Sequence, residues 1–340
     1  MRRHEWEAQL SRAAQRSLVS PDPPITFGYT CPMSPLENVP DQPPLGWRVT
    51  LALLRRLPQA GLSRSLGRLA DVPVPRKLRR PLFRTFARAV GADLSEVENP
   101  LEEYGTMNDF FVRRLKPGLR TWPESPAVVA SPVDGIVGSV GEIIHGTAVQ
   151  AKGRPYPVAE LLGDSDEARA LEGGRFVTIY LSPRHYHRVH APVDGMIPLA
   201  RHVPGELLPV NLPSVAHVPA LFVTNERLLC FLDSEFGRIV VVAVGAYNVG
   251  RISTAFDTFW GRSRPWVTNR SEPLPRERRY DPPLEVARGN ELMTFHLGST
   301  VILLLPPGST ELTPACRLGQ EVRLGEALVQ PARQGDLSAP

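Results

Sequence analysis

The apolar positions along this chain change their period part-way. Between Trp47 and Val90, residues Leu51, Leu54, Leu62, Leu66, Leu69, Leu78, Leu82, Phe83, Phe86 and Val90 recur mainly at steps of three and four, the spacing that gathers side chains onto one face of a helix. Two or three amphipathic helices are predicted here, interrupted near Pro58 and at the Pro73/Pro75 pair, since proline lacks the amide donor and crowds the preceding turn. From about Ala127 the pattern shifts to short apolar and β-branched runs, AVVA, FVTIYLS, ALFV, LLCFL, RIVVVAVGAY and TVILLL, punctuated by Gly, Pro and Asn. Runs of that length between turn residues read as strands, so the body of the protein is predicted to be mostly β. Upstream of the helices, residues 20–46 are dense in proline and predict a loosely ordered leader over 1–46.

Charge sharpens the helical part. The formal net charge is only +4, yet residues 47–90 hold eleven Lys or Arg against one acid, Asp71. Basic amphipathic helices suit an anionic membrane surface; the same pattern fits helices that cover a core and turn their arginines to water. No helix-turn-helix, zinc finger or stacking-aromatic platform accompanies the charge, which argues against a nucleic-acid partner. The opening residues, MRRHEWEAQLSRAAQRSLVS, lack the apolar run of a secretory signal, and no run of about 18 apolar residues is present to span a bilayer. Cys31, Cys230 and Cys316 form no CxxC pair, so neither a disulfide framework nor a zinc site is expected, and a reducing compartment fits.

Three features carry candidate chemistry. In HLGSTVILLL, residues 296–305, Gly298 and Ser299 stand at the mouth of a strand, where glycine weakens pairing and a hydroxyl needs a partner. Ser299 is either a turn residue or a reagent, and as a reagent it needs a base, usually a histidine oriented by a carboxylate. YLSPRHYHRVHAP, residues 180–192, offers His185, His187 and His190 directly after an apolar strand. On a helix His187 and His190 would share a face and could ligate a metal, but Pro183, Pro192 and the preceding strand argue for strand or turn, and no metal is expected. PVDG occurs twice, at 132–135 and 192–195, a repeated turn with one aspartate in each copy, Asp134 and Asp194. Spacing alone selects neither among the histidines nor between the aspartates. These turns, with CRLGQEVRLGEALVQ near the C-terminus, resemble the hybrid β-folds of biotinyl and lipoyl carriers, without the carrier lysine. The polar, proline-rich 261–288 segment reads as a long irregular loop, either a lid or a surface insertion.

Seven blocks in order are more specific than any one of them: NDFFVRRLKPGLR (108–120), SPVDG (131–135), QAKG (150–153), YLSPRHYHRVHAP (180–192), LFVTNERLL (221–229), VVAVGAYNVG (241–250) and LGST (297–300). On these blocks, from about Tyr104 to the C-terminus, the chain resembles the phosphatidylserine decarboxylase proenzymes, the pyruvoyl-dependent kind of bacteria and mitochondria. The resemblance implies an α+β fold, with a mostly-β catalytic core of hybrid-motif or β-barrel type over residues 104–340 behind a basic helical membrane-docking region at 47–103. It implies self-cleavage between Gly298 and Ser299 into a large chain, 1–298, and a small chain, 299–340, that stay together as a heterodimer, with room for a higher oligomer.

The resemblance also assigns roles. Asp134, His190 and Ser299 would form a charge-relay triad in which Ser299 attacks the Gly298 carbonyl, and Ser299 would end as the pyruvoyl cofactor, the site of a Schiff base with the amine of phosphatidylserine. His187 would act in decarboxylation, by positioning the substrate carboxylate or donating a proton, and Asp194 would be a turn residue. A lipid substrate in the bilayer implies peripheral attachment to the cytoplasmic face of the cell membrane. Two positions depart from the family pattern: Arg251 stands where VGSI usually has its serine, and His185 replaces the aspartate of DYHR. The competing classes are a self-processing serine hydrolase that keeps its nucleophile and a non-enzymatic hybrid-fold binding module in which Ser299 is a turn residue.

Overall fold

The computed structural model describes residues 46–47, 59–150, 153–246, 251–260, 276–296, 299–308 and 310–331, all within the unit that spans residues 33–340. The predicted leader except Gly46, the helix break near Pro58 and the first half of the 261–288 segment lie outside the described residues.

Among the described residues from 59 onward, two helices come first, α1 (Gln59–Ala70) and α2 (Arg76–Val90), parted at Pro73 and Pro75 as expected. Gly91 closes α2 with φ of 76° and returns its N–H to the Ala87 carbonyl, a left-handed cap that a Cβ would oppose. Phe83 of α2 stacks on Phe110 of α3 (Met107–Phe111), centroids 5.0 Å and planes 14° apart, and Tyr104 meets both rings edge-on. This aromatic cluster fixes the point from which the segment after α3 enters the β body.

Sixteen strands follow among the described residues: β1 (Val129–Ala130), β2 (Gly135–Glu142), β3 (Thr147–Gln150), β4 (Arg154–Pro157), β5 (Arg175–Leu181), β6 (Arg188–His190), β7 (Gly195–Val203), β8 (Arg227–Ser234), β9 (Gly237–Val244), β10 (Ile252–Thr254), β11 (Arg276–Val286), β12 (Glu291–Phe295), β13 (Ser299–Leu305), β14 (Thr310–Leu312), β15 (Glu321–Val322) and β16 (Ala327–Pro331). Eight form one antiparallel sheet in the order β11-β7-β8-β9-β13-β5-β2-β15. A β10-β12-β6 sheet shares its core on one face, and a β1-β16-β14 sheet gathers the C-terminal strands.

β13 lies at the centre. Val301, Leu303 and Leu305 join Ile179 and Val241 in one apolar cluster, while Ile302 and Leu304 join Phe176 and Val242 in the other. A strand covered on both faces reads as an uninterrupted apolar run, and each such side chain contributes roughly 1.5–3 kcal/mol relative to exposure.

Three expectations change. No closed barrel forms among the described residues: the large sheet ends at β11 and β15. β11 carries RERRYDPPLEV, and charges with paired prolines are what an edge strand uses to refuse a further partner. That strand is itself the second correction, since half of the supposed irregular loop pairs with β7 through Arg276↔His202 and Val286↔Gly195. Third, ALFV is no strand: Leu221–Thr224 is a helical turn, started by Ala220 at φ 47°, with the Val223 and Thr224 N–H groups returning to its carbonyl. A four-residue apolar run does not by itself separate the two conformations.

The repeated PVDG has a packing reason. A Cβ on Gly135 would sit 2.5 Å from Ile179 Cγ2 and 2.7 Å from the Tyr180 carbonyl oxygen, and one on Gly195 2.6 Å from the Asp233 carbonyl oxygen. Each glycine lets its turn press against the backbone of a neighbouring strand. Gly135→Ala and Gly195→Ala are each expected to cost about 1–3 kcal/mol, measured by chemical denaturation; unchanged midpoints would show that the strands yield instead.

Candidate active site

The histidine block folds as strand, turn, strand. β5 ends at Leu181, residues 182–187 turn, and β6 carries Arg188 to His190. Within the turn the His185 N–H returns to the Ser182 carbonyl at 3.0 Å, and the Ser182 N–H donates to His185 Nδ1 at 3.0 Å. His185 Nε2 faces Glu321 Oε1 at 3.4 Å, and burial first, then Arg184, holds its pKa below the ordinary value.

His187 is fully buried, with its ring centroid 4.1 Å from that of Phe111. Its Nδ1 lies 2.8 Å from the His185 carbonyl oxygen; a carbonyl only accepts, so Nδ1 bears the proton and Nε2 the lone pair. Nε2 has no partner among the described residues. Burial, then the charge of Arg113, lowers the His187 pKa to about 3.

His190 has the same tautomer. Its Nδ1 donates to the Gly289 carbonyl at 2.7 Å, and its Nε2 accepts the Tyr186 hydroxyl at 3.2 Å. Burial lowers its pKa against the opposing effect of the Gly289 bond. A neutral imidazole with its lone pair on Nε2 is the form in which a base takes up a proton.

The backbone brings the first aspartate turn to this strand, for the His190 N–H donates to the Pro132 carbonyl at 2.9 Å. The side chains are engaged elsewhere. Asp134 Oδ1 accepts Arg120 Nε at 2.9 Å and the Leu324 N–H at 2.7 Å, and Oδ2 accepts Arg120 Nη2 at 2.6 Å. Arg120 also grips Glu96, with Nη2 at 2.8 Å and Nη1 at 3.2 Å. The Asp134–His190 bond expected of a charge relay is thus replaced here by two others, Asp134 to Arg120 and His190 to Gly289. A two-pronged guanidinium clamp on a buried carboxylate is strong enough to explain the preference. Asp194 accepts the Arg288 N–H at 2.8 Å, a turn contact.

Leu297 and Gly298 lie outside the described residues, but both flanks of the 298/299 junction are fixed. Before it, β12 pairs with β6, and the Phe295 N–H donates to the His187 carbonyl at 3.0 Å. After it, Ser299 is in register with Leu181, the last residue of β5. The described flanks of the junction thus meet the two ends of the histidine turn, Phe295 at His187 and Ser299 at Leu181.

Beside this junction is a cavity of about 390 Å³ lined in part by Asn108, Arg114, Arg188, Arg251, Ser253 and His296. His296 lies 2.9 Å from Ser253 Oγ through Nε2 and 3.2 Å from Asn108 Oδ1 through Nδ1, and burial, with Arg251 and Arg188 beside it, lowers its pKa to about 3. Arg251 pairs with Asp71 at 2.7 Å, so the residue that departs from VGSI ties the cavity wall to the turn that follows α1.

The sequence profile of the family described as phosphatidylserine decarboxylase matches residues 107–330. The chain belongs to that family. It is 45% identical over 281 residues to a phosphatidylserine decarboxylase proenzyme of Anaeromyxobacter sp. (strain K), covering 83% of this chain and 98% of that protein. With the proenzyme of Myxococcus xanthus (strain DK1622) it shares 42% over 278 residues, 82% and 96% of the two chains, and with that of Acidovorax ebreus (strain TPSY) 41% over 275 residues, 80% and 94%. Membership makes it an enzyme of the decarboxylase type. Sequence reasoning gave no role to Arg113, Arg120, Tyr186, Gly289 or Leu324. The two arginines stood in the NDFFVRRLKPGLR block, which was the available signal, but their partners are 71 and 14 residues away.

The neutral histidines set a pH dependence. His187 and His296 titrate near pH 3 in the fold and near 6.5 when unfolded, so the unfolded chain binds more protons between those values. Their contribution is complete above about pH 6.5 and is lost as pH falls toward 3. The Ser299→Ala chain is expected to melt several degrees lower at about pH 5 than at about pH 7, and His187→Asn to make that slope shallower; equal slopes in calorimetry would contradict this assignment.

Proposed function

We propose that this decarboxylase makes its own active group by breaking the Gly298–Ser299 bond and then converts phosphatidylserine to phosphatidylethanolamine. The observation that carries the reading is where the glycine-serine step falls: Phe295 before it is bonded to His187 and Ser299 after it is in register with Leu181, so both described flanks meet a histidine block in which His185 and His187 are buried and His190 half-buried.

In the self-cleavage, Ser299 Oγ attacks the Gly298 carbonyl carbon while His190 Nε2, exchanging its Tyr186 contact for Ser299, takes the hydroxyl proton. The C–N bond breaks, the proton passes to the amine of residue 299, and the peptide becomes an ester. Loss of the Cα proton expels the Gly298 carboxylate, and the dehydroalanine left at residue 299 takes up water and releases ammonia to become a pyruvoyl group. Asp134 is assigned to the imidazolium formed on His190. That role requires His190 Nδ1 to turn from Gly289 to the Asp134 carboxylate.

The residues around the junction fit such a group: His187 offers a buried imidazole Nε2 without a partner, in apolar surroundings that include Phe111. When present, the pyruvoyl group supplies an electrophilic carbonyl and a sink for the electrons released on loss of carbon dioxide. His187 Nε2 would hold or return the proton at the carbon that loses carbon dioxide.

The break would lie at the head of a centrally placed strand. β13 is paired on both sides, β15 pairs with β2, and β16 with β1, so the small chain would be retained as half of a heterodimer. Intact-mass spectrometry of the purified protein is expected to give two fragments parting at 298/299, the small one lighter by the serine-to-pyruvoyl change, together with phosphatidylethanolamine formation from phosphatidylserine. Ser299→Ala should stay whole. A single uncleaved chain points to a binding module, and two fragments that retain serine point to a hydrolase.

The helices support docking on a membrane. Leu69, Val72, Leu78 and Leu82 are 67%, 53%, 57% and 41% exposed, interleaved with exposed Arg68, Arg76, Lys77, Arg80 and Arg84. Apolar side chains set among cations match the boundary between head groups and acyl chains on an anionic leaflet. We assign this face to peripheral attachment at the cytoplasmic side of the cell membrane. Replacing Arg76, Lys77, Arg80 and Arg84 by Gln is expected to weaken binding to phosphatidylserine-containing vesicles by roughly two to three orders of magnitude; co-sedimentation that is unchanged would place the face against something else.

A further inference from the structure

Among the described residues, Arg113 is a buried cation with no carboxylate at ion-pair distance. It is 4% exposed, and its Nη2 donates to the Arg184 carbonyl at 2.9 Å, with the His185 carbonyl at 3.5 Å. Its Nε and Nη1 have no partner among the described residues. The other well-buried arginines differ. Arg120 holds two carboxylates, Arg201 holds Asp164 and Glu277, and Arg227, which lacks a carboxylate, directs Nε, Nη1 and Nη2 to the carbonyls of Leu161, Val223, Asn225 and Glu160. Among the described residues, Arg113 has a further contact with the face of Phe110, 5.5 Å from the guanidinium carbon to the ring centroid.

The second observation is its neighbour. Arg113 Nη2 and His187 Nδ1 converge on one atom, the His185 carbonyl oxygen, at 3.5 and 2.8 Å, and His187 Nε2 is also without a partner. Three unpartnered polar atoms, two that donate from a cation and one that accepts, thus share one corner beside the histidine whose carbonyl holds β12. Leaving a charge buried and unpaired costs several kcal/mol, and such a cost is met where a ligand brings the missing charge.

Phosphatidylserine carries two anions, a carboxylate and a phosphodiester. The carboxylate leaves as uncharged carbon dioxide, so a guanidinium on it would stabilise the charge that the reaction removes and raise the barrier. The phosphodiester keeps its charge from substrate to product, four bonds from the reacting nitrogen, and holding it orients the head group without opposing the chemistry. We propose that Arg113 receives the phosphodiester of the phosphatidylserine head group, leaving the carboxylate to the apolar side of the corner formed by His187 and Phe111. This rests on the reading of the protein as a phosphatidylserine decarboxylase.

The test uses the self-processed wild type, Arg113→Gln and Arg113→Lys with dihexanoyl phosphatidylserine as substrate and dihexanoyl phosphatidylethanolamine as inhibitor. Arg113→Gln is expected to raise KM roughly 10- to 100-fold, the range for losing a hydrogen bond to a charged group, with kcat changed less than about threefold. The product's inhibition constant should rise by the same factor, and Arg113→Lys should recover part of both. An unchanged KM overturns the proposal. A raised KM with unchanged product inhibition overturns it in favour of the carboxylate. If both variants stay uncleaved while the wild type is processed, Arg113 only pins the histidine turn, which also overturns it. A wild type that is processed but does not decarboxylate phosphatidylserine sinks the functional reading itself, and the assignment falls with it.

Discussion

Everything in the site depends on the register of one strand. β13 runs between β5 and β9, with Thr300 opposite both Tyr180 and Val244 and Leu304 opposite both Phe176 and Val240. Its side chains alternate between two separate apolar cores. A slip of one residue would exchange every side chain between those cores, so the register is specified by packing on both faces. That specification decides where residue 299 begins and which residue faces it across the ladder. The β12 side is held as firmly, by Met293 opposite Val189 and Thr294 opposite Arg188. The described residues on either side of the 298/299 junction are thus each placed by a paired ladder, β12 on β6 before it and β13 on β5 after it.

Electrostatics around that bond divides into two kinds. The imidazoles of His185, His187 and His190 have been made neutral by removal from water, whereas the charged groups nearby are neutralised by partners. Glu96, Arg120 and Asp134 form a chain of alternating sign, completed by the Leu324 N–H; Arg114, Arg188 and Glu291 form another, with Thr294 on the same carboxylate. Arg113 belongs to neither. Because its surroundings carry fixed dipoles rather than a counter-ion, burial lowers its pKa first, and the more distant Tyr104 and Asp134 only partly restore it. The contrast between these paired networks and Arg113, which among the described residues meets no carboxylate, gives the site its polarity.

Much of the fold could be read from apolar period. FVTIYLS, LLCFL, RIVVVAV and TVILLL became β5, β8, β9 and β13 because strands buried on both faces leave long apolar runs. The helix break at Pro73/Pro75 was equally legible. β11 was not, since an edge strand with charges on its exposed face looks like a loop by composition. In the site, the histidine turn was visible from its prolines and the strand before it. The partners were not. Whether Asp134 meets His190 or Arg120 depends on how two loops approach through space, which residue spacing does not state.

That choice has a physical consequence. With Arg120 on both its oxygens, Asp134 has its charge largely offset before His190 can draw on it. Arg120 cannot lose its own charge to release the carboxylate, because its hydrogen bonds to Asp134 and Glu96 outweigh the effect of burial and push its pKa up. If Asp134 is to serve His190 as proposed, its release has to come from movement. The candidates for movement are visible in the bonds: Asp134 Oδ1 is tied to Leu324, a residue of the segment downstream of Ser299, and His185 faces Glu321 of the same segment. A change in how residues 321–324 sit against the histidine turn would alter both contacts together. With Asp134 clamped and His190 turned to Gly289, the carboxylate and the imidazole are held apart, and residues 321–324, downstream of Ser299, touch both the aspartate and the histidine turn.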